Sequence, residues 1–397
     1  YLEIRYKDKG LRILGAIMFI IYQIGRMAII MYLPSMVLSN LTGINVYLLI
    51  VAMGVIAIIY SYTGGLKSVL WTDFIQGCVL IAGIIFSLIF LISTINGGFG
   101  AIMHELTEGG KFLASKEPIF NANIFKTSVF LLIVGGGLNT FSSYISSQDI
   151  VQRFTTTTDI KQLKKMTYGN LVLSLFVATV FYLIGTALYV FYNQNPQLLQ
   201  TAQQDQIFAS YIAFQLPVGI TGIVLAAIYA AAQSTLSTGL NSVATSWTLD
   251  IQNFITKDMS MEKQTKVAQY ISLGVGIASI IMAVILANGG VNSAYEWFNG
   301  FMGLVLGVLA GIFVLGIFFK KATKAGAYAG FIASAIAVIV CKYGGFDVSI
   351  WSYSIISIGV SVIVGMIVSL MTQSQLADKK TLNEATIYYN ENEIVNN

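Results

Sequence analysis

A run of hydroxyl side chains interrupts one of the apolar segments of the sequence. The stretch AAQSTLSTGLNSVATSW, residues 231–247, carries seven Ser and Thr residues. At about 100° per residue of an α-helix, Ser234, Thr238, Asn241 and Thr245 fall within roughly 60° of one another. Hydroxyl and carbonyl oxygens are hard, neutral ligands that suit a small hard cation such as Na⁺. The stripe indicates either a cation site or hydroxyls that stabilise contacts between membrane helices, and the pattern alone leaves both open.

Two charged residues in apolar surroundings bear on that choice. Arg26, in FIIYQIGRMAIIMYL, lies near the middle of an apolar run, where a guanidinium costs at least ~2.5 kcal/mol. Arg26 either binds an anionic substrate, whose carboxylate would accept two parallel hydrogen bonds, or forms one half of a structural ion pair. Asp73 lies near the start of another run and is either an acid favoured by the helix dipole or, if its helix packs on the hydroxyl stripe, the full negative charge of a cation site.

The composition places these residues in a membrane protein. The chain is 56% hydrophobic and only 10% charged, with a mean hydropathy of +0.76, whereas about 25% of residues are charged in soluble domains. Apolar runs long enough to cross ~30 Å of hydrocarbon predict an all-α polytopic protein with ten transmembrane helices. The expected spans are 12–39, 44–62, 69–95, 125–147, 168–193, 216–247, 266–287, 299–319, 324–342 and 349–372.

Lys and Arg are distributed unequally between the alternate connections. Of the 22 such residues, 17 lie on the side that holds both ends of the chain, four lie on the other side, and Arg26 lies within a span. The positive-inside rule therefore predicts a multi-pass protein of the plasma or inner membrane with both termini in the cytoplasm. We expect one transmembrane domain over 1–373 and a polar cytoplasmic tail over 374–397. Because Tyr1 is not an initiator Met and begins a charged connector, we also expect the sequence to be incomplete at its N-terminus.

Several motifs, taken in order, resemble one transporter family. YSYTGGLKSVLWTDFIQG, SSQDIVQR and AAQSTLSTGLNSVATSWTLDI resemble the sodium/solute symporters, and YLEIRY followed by YQIGRMAIIMYL resembles the bacterial sialic acid symporters among them. The resemblance extends over essentially the whole chain. It implies the LeuT-type fold, in which two inverted repeats of five helices place substrate and ions near the bilayer midplane. Members of this subgroup have thirteen spans, so the first three would be missing here.

The resemblance also implies two sodium sites on the hydroxyl stripe. The conserved site would use the carbonyl of Ala231 with the hydroxyls of Ser234 and Thr235. Thr stands at 235 and 238 where the sialic acid symporters that the sequence resembles carry Ser, so a hydroxyl is retained at both positions. The second site of this subgroup would use four side chains: Asp73, Ser234, Ser237 and Thr238.

The substrate site implied by the resemblance centres on Arg26. This residue corresponds to the Arg that pairs with the sialic acid carboxylate. In the helix before SSQDIVQR, the relatives line the pocket with an aromatic residue and an amide. Here gapless alignment places Gly136 and Thr140 at those positions, with Asn139 adjacent, so the sugar selectivity is left open.

The implied function is sodium-coupled import of sialic acid by a monomeric carrier that uses two sodium ions and binds no nucleic acid. A sodium symporter for another carboxylate, such as an amino acid or a short organic acid, would retain every ion-site residue. A proton-coupled carrier would need an intramembrane relay, yet the one His, His104, falls in an external connector. A sensor would need an output domain that the tail cannot hold. An enzyme is not expected, because no metal-ligand cluster, nucleophile–base pair or phosphate loop is present.

Overall fold

The protein is built from helices of very different lengths. The computed structural model describes residues 1–63, 66–110, 117–123, 125–154, 157, 159–201, 204–256, 259–289, 293–377, 382 and 385–388, and no strand occurs in that part of the chain. The helices are α1 (Leu2–Tyr6), α2 (Lys9–Thr42), α3 (Val46–Thr63), α4 (Leu66–Thr94), α5 (Gly98–Thr107), α6 (Val129–Ser146), α7 (Gln148–Phe154), α8 (Ile160–Gln194), α9 (Ile207–Phe214), α10 (Val218–Ser246), α11 (Asn253–Ile255), α12 (Met261–Asn288), α13 (Ala294–Phe318), α14 (Lys324–Tyr343) and α15 (Ser352–Met371).

The expected spans coincide with the long helices. Within the described ranges, nine helices are long and apolar enough to cross a membrane, and each of them overlaps one expected span. The second expected span falls on α3, whose apolar part, Val46–Tyr62, is shorter than the rest. Hydropathy therefore located every long helix, because a helix surrounded by lipid must be apolar over most of its length.

Local sequence signals account for several helix ends, which lie a few residues from the expected span limits. Asp8 accepts a hydrogen bond from the amide of Leu11 and so caps α2, and Gly43, at φ 72°, ends that helix. Ser128 caps α6 in the same way. The junction between α6 and α7 is different, because Ser147 is extended (φ −93°, ψ 120°) and breaks the helix without Gly or Pro. The seven residues of α7 thus form a separate short helix.

Helices α2 and α10 occupy the interior. One buried apolar cluster joins α4, α8, α9 and α10. A second joins α1, α2 and α13, and a third joins α2, α3, α10 and α12. Since α2 and α10 each contribute to two or more clusters, residues on these helices are held by packing on several sides.

Small residues allow other helices to approach closely. Gly326 and Gly330 are spaced as in a GxxxG motif and face α15, where Ser361, Gly365 and Ser369 repeat at intervals of four residues. A methyl group added to Gly330 would collide with the carbonyl oxygen of Ser361. Membrane helices associate mainly through such close packing, since lipid tails are as apolar as the helices themselves.

The structure adds elements that hydropathy did not predict. The connector expected over 96–124 contains α5, and the short helices α7 and α9 lie between spans. The predicted tail falls partly outside the described residues, which include only 382 and 385–388 beyond residue 377. In that part, the Tyr388 hydroxyl donates to the carbonyl of Phe318 at 3.3 Å, so this segment lies against the end of α13.

We predict that Gly330→Ala destabilises the fold by ~1–3 kcal/mol, the usual cost of overpacking a tight contact. The added methyl group would force α14 and α15 apart. The matched control is Gly185→Ala on the exposed face of α8, where no neighbouring atom lies within 4 Å of the added carbon. The midpoint of thermal unfolding in detergent should fall for Gly330→Ala and stay constant or rise slightly for the control. Equal midpoints would show that the α14–α15 contact adapts without cost.

Candidate functional site

The hydroxyl stripe forms a half-buried face of α10. Ala231, Ser234, Thr238, Asn241 and Thr245 are partly exposed, whereas the residues between them are mostly buried. Helix α4 packs along the same side of α10, and a carbon added at Gly83 would lie only 2.8 Å from the Cβ of Ala227. This close approach accompanies the contact of Asp73, ten residues before Gly83 in α4, with the oxygen-bearing turns of α10.

Asp73 is the carboxylate that α4 contributes to the stripe. Ser234 donates its hydroxyl to Asp73 Oδ1 at 2.5 Å, and Thr238 donates to Asp73 Oδ2 at 3.2 Å. The structure thus brings together three of the four residues predicted for a second sodium site. The fourth, Ser237, is fully buried and donates instead to the backbone carbonyl of Ser234 at 3.0 Å.

The three residues predicted for the conserved sodium site lie on adjacent turns of the same helix. Thr235 donates its hydroxyl to the carbonyl oxygen of Ala231 at 3.0 Å. Ser234 lies between these two residues in sequence, and its hydroxyl donates to Asp73. Carbonyl and hydroxyl oxygens retain lone pairs when they hydrogen-bond to each other, so the cluster offers hard oxygen ligands for Na⁺. The assignment of these three residues as ligands stays a prediction.

A guanidinium also reaches the second cluster. Arg153, in α7, lies 3.0 Å from Asp73 Oδ2 through its Nη2 atom and donates to the Thr238 hydroxyl at 3.1 Å. The Arg153 side chain is half exposed, whereas the Asp73 side chain is 15% exposed. In this structure a positive charge therefore lies on two of the oxygens predicted to bind sodium.

Arg26 is paired with a carboxylate. Its Nη1 atom lies 2.6 Å from Asp149 Oδ2, and the Asp149 side chain is 5% exposed while that of Arg26 is 26% exposed. The other carboxylate oxygen, Oδ1, is buried without a partner. The structure therefore contains the ion pair that was one alternative for Arg26, and it also leaves the guanidinium partly accessible to a ligand.

Other polar atoms near Arg26 are buried and unpaired. The side-chain amide of Gln23, one turn earlier in α2, is fully buried with neither its oxygen nor its nitrogen bonded. The hydroxyls of Ser146 and Ser147, at the break before α7, are also without partners. Buried polar groups are nearly always hydrogen-bonded to protein, water or ligand. Along the chain, Gln23 lies three residues before Arg26, and Ser146 and Ser147 lie three and two residues before Asp149, so these groups flank the two members of the ion pair in sequence.

The three residues predicted in α6 do not share one environment. Thr140 is exposed and donates to the carbonyl of Gly136 at 3.0 Å. Asn139 is 2% exposed and lies on another side of the helix, where its amide contacts Asn299 of α13 and accepts from Ser354 of α15 at 2.6 Å. The structure therefore brings Gly136 and Thr140 together and engages Asn139 in contacts between helices.

Sequence reasoning missed the roles of Asp149 and Arg153. Both belong to the motif SSQDIVQR, but neither was considered as a partner for a charged residue in a span. The available signal was the spacing of two opposite charges, four residues apart and directly after an apolar segment. The two contacts depend on the break in the helix at Ser147, and no Gly or Pro in the sequence marks that break.

Comparison with known proteins identifies the family. The sequence matches the sodium:solute symporter family over residues 1–334. The chain belongs to this family. It is 34% identical over 369 residues to the sodium/sialic acid symporter SiaT of Proteus mirabilis, covering 92% of this chain and 74% of that protein. It is 31% identical over 377 residues to the sodium/sialic acid symporter NanT of Aliivibrio fischeri, covering 95% and 74% respectively.

A solved structure extends the similarity to three dimensions. The transporter superposes with a TM-score of 0.85 on the substrate-bound, outward-open state of a Na⁺-coupled sialic acid symporter, at 34% identity, and the match covers 94% of this chain and 76% of that one. The expected all-helical, LeuT-like fold is confirmed. Family membership makes the protein a membrane transporter and makes sodium its coupling ion.

We predict that Ser234→Ala weakens sodium binding by ~1–3 kcal/mol, because it removes an oxygen that contacts Asp73 and leaves that carboxylate with one fewer donor. The matched control is Ser242→Ala in the same helix, whose buried hydroxyl donates to the carbonyl of Gly239. The half-saturating sodium concentration, measured from sodium-dependent thermal stabilisation in choline-balanced salt, should rise for Ser234→Ala alone. Equal shifts in both variants would assign the stripe to packing.

Proposed function

We propose that this transporter is a sodium-coupled symporter that imports sialic acid by alternating access. Its similarity to two bacterial sialic acid symporters over more than nine-tenths of the chain supports the substrate class. The observation that carries the proposal is the presence, in one helical core, of a partly accessible guanidinium at Arg26 and an oxygen cluster around Asp73. An anion and a small cation would thus bind near each other.

Arg26 would bind the carboxylate of the substrate. Its planar fork matches a carboxylate through two parallel hydrogen bonds, and a partly dehydrated environment strengthens them. The unpaired amide of Gln23 lies one helical turn away, within the same buried region of α2. Gly136 and Thr140 of α6 would line the site, while Asn139 would support α6 through its contacts with α13 and α15.

Two sodium ions would bind on α10. The first would use Ala231, Ser234 and Thr235, and the second would use Asp73, Ser234, Thr238 and the neighbouring Ser237. Ser234 is shared by both sites, which couples them directly. Because a ligand that raises the affinity for another has its own affinity raised by the same factor, bound sodium would favour substrate binding and substrate would favour sodium binding.

Transport would follow from movement of one helix group against the other around these sites. The excess of Lys and Arg on one side supports an orientation with both ends of this chain in the cytoplasm. With that orientation, an inside-negative potential contributes ~2.3 kcal/mol per 100 mV for each net charge moved inward. Two sodium ions with one monoanion would move one net positive charge, and we propose that a single subunit carries out this cycle.

The alternative is a symporter for another carboxylate, which is the substrate class in the name of one less similar relative. The human sodium-coupled monocarboxylate transporter 1 is 30% identical over 359 residues, which cover 88% of this chain and 55% of that protein. Thr140 and Gly136 also offer less side-chain contact to a sugar than an aromatic residue and an amide would. A competition experiment with short monocarboxylates separates the two substrates.

We expect proteoliposomes that contain the protein to accumulate radiolabelled N-acetylneuraminate under an inward sodium gradient, and not under a potassium or proton gradient. Arg26→Ala should abolish this uptake, because it removes the partner of the substrate carboxylate. Since the single change leaves Asp149 buried and unpaired, the double variant Arg26→Ala/Asp149→Asn provides a form without the orphan charge. It should fold and remain inactive.

Arg12→Ala is the control on the same helix. Arg12 lies 14 residues earlier and pairs with Glu3 and Asp250, each at 2.8 Å, away from the proposed site. Its loss should leave the affinity for N-acetylneuraminate unchanged. Normal uptake by Arg26→Ala would contradict the assignment of Arg26 as the substrate-binding residue. Displacement of the label by equimolar lactate would contradict the assignment of sialic acid as the substrate.

The stoichiometry is tested through Asp73. If Asp73 belongs to a second sodium site, the wild-type uptake should depend on sodium with a Hill coefficient above one, and Asp73→Ala should lower it toward one. The same change should make uptake less sensitive to membrane potential, because one sodium with one monoanion carries no net charge. Asp73→Asn is the gentler control, because it keeps an oxygen ligand and removes only the charge. An unchanged Hill coefficient and voltage response in Asp73→Ala would restrict coupling to the site at Ala231, Ser234 and Thr235.

A further inference from the structure

Helix α7 touches both halves of the proposed site with opposite charges. Asp149 and Arg153 lie four residues apart in this seven-residue helix, so their side chains project from the same face one turn from each other. Asp149 contacts Arg26 of α2, and Arg153 contacts Asp73 of α4 and Thr238 of α10. One short element therefore links the anion-binding residue to the cation-binding cluster.

At each contact, the α7 side chain has the same charge as the ligand proposed for that position. At Arg26, a carboxylate oxygen lies 2.6 Å from the guanidinium, which is the group and the distance expected for a bound carboxylic acid. At Asp73, the singly charged guanidinium of Arg153 lies about 3 Å from a carboxylate oxygen and a hydroxyl oxygen. These are the ligand types of the proposed sodium cluster. We call the Asp149 carboxylate and the Arg153 guanidinium the α7 counter-ions.

We infer that the α7 counter-ions occupy the two ligand positions in the substrate-free protein, and that substrate and sodium displace them together because both belong to one short helix. The inference rests on the proposed function, since it takes Arg26 as the residue that binds the substrate carboxylate and Asp73 as a sodium ligand. It adds Asp149 and Arg153 as positioning residues that control access to those groups.

Charge balance explains why the two displacements favour each other. The four groups form two ion pairs with no net charge. If a carboxylic acid alone binds Arg26, Asp149 keeps its negative charge in a buried setting without a partner, which is costly. If sodium alone binds Asp73, Arg153 loses its contact with that carboxylate instead. When both ligands bind, Asp149 and Arg153 can pair with each other.

The spacing of the counter-ions suits that final pairing. An acidic residue four positions N-terminal to a basic residue is the favourable arrangement for an ion pair along a helix, since it also agrees with the helix dipole. The break at Ser147 separates α7 from α6, so α7 can shift without bending a continuous helix. The affinity of each ligand should therefore rise when the other is present.

The first arm of the test needs no organic substrate. We expect Arg153→Gln to lower the half-saturating sodium concentration about three- to tenfold, because the half-exposed guanidinium that competes with sodium for Asp73 is removed. The readout is sodium-dependent thermal stabilisation in choline-balanced salt. Lys161→Gln, an exposed change of the same charge in α8, should leave the value unchanged. Weaker or unaltered sodium binding by Arg153→Gln would overturn the inference for this residue.

The second arm measures the affinity for N-acetylneuraminate with and without sodium. We expect Asp149→Asn to raise the affinity about tenfold in choline, since the competing carboxylate is gone, and to reduce the ratio between the two conditions. Asp347→Asn, a matched change at an exposed residue, should leave both affinities and their ratio as in the wild type. An unchanged ratio in Asp149→Asn, or a lower affinity in choline, would assign Asp149 a purely structural role.

The two arms separate this inference from the proposed function. If the wild-type protein binds no N-acetylneuraminate, the proposed substrate is wrong, and the sodium arm with Arg153→Gln still decides whether α7 competes with the cation. If the wild type shows sodium-dependent binding and neither variant alters it, the proposed function stands and the inference fails. Should Asp149→Asn not fold, the sodium affinity of Arg153→Gln alone decides whether the inference stands.

Discussion

Charged side chains among apolar helices must be neutralised, and this requirement organises the core of the transporter. Arg26 and Asp73 lie in segments that hydropathy assigns to the membrane, where an unpaired charge costs several kcal/mol. Each is neutralised by a residue of α7, through contacts of 2.6 and 3.0 Å. The same groups would have to exchange these partners for transported ions during a transport cycle. The same four side chains therefore decide both the charge balance of the core and the recognition of ligands.

The surrounding helices hold these groups at contact distance by means of small residues. Gly83 lets α4 lie against Ala227 of α10, and so positions Asp73 beside Ser234. Gly239 of α10 leaves space for the side chains of α2, including the sulfur of Met27. Membrane helices gain little from apolar burial against each other, so close backbone contact is the means by which the bundle is fixed. The precision of the ion cluster depends on that contact.

Much of this organisation could be predicted from the sequence, and the rest could not for definable reasons. Hydropathy located the long helices, and the 3.6-residue period grouped Ser234 with Thr238, since both depend on one helix at a time. The pairing of Arg26 with Asp149 depends on the break at Ser147, whose extended backbone has no Gly or Pro signal. The burial of Asn139 depends on α13 and α15, more than 150 residues away in sequence. Contacts of this kind are set by tertiary packing, which periodicity does not report.

The most direct test is a structure of the protein determined by electron cryo-microscopy with sodium and N-acetylneuraminate bound. The account predicts density for the substrate carboxylate on the Arg26 guanidinium, with ion density between the oxygens of α10 and Asp73. In that structure Asp149 and Arg153 would have left Arg26 and Asp73. Substrate density remote from Arg26, with the Arg26–Asp149 pair still intact at its distance of 2.6 Å, would contradict the account.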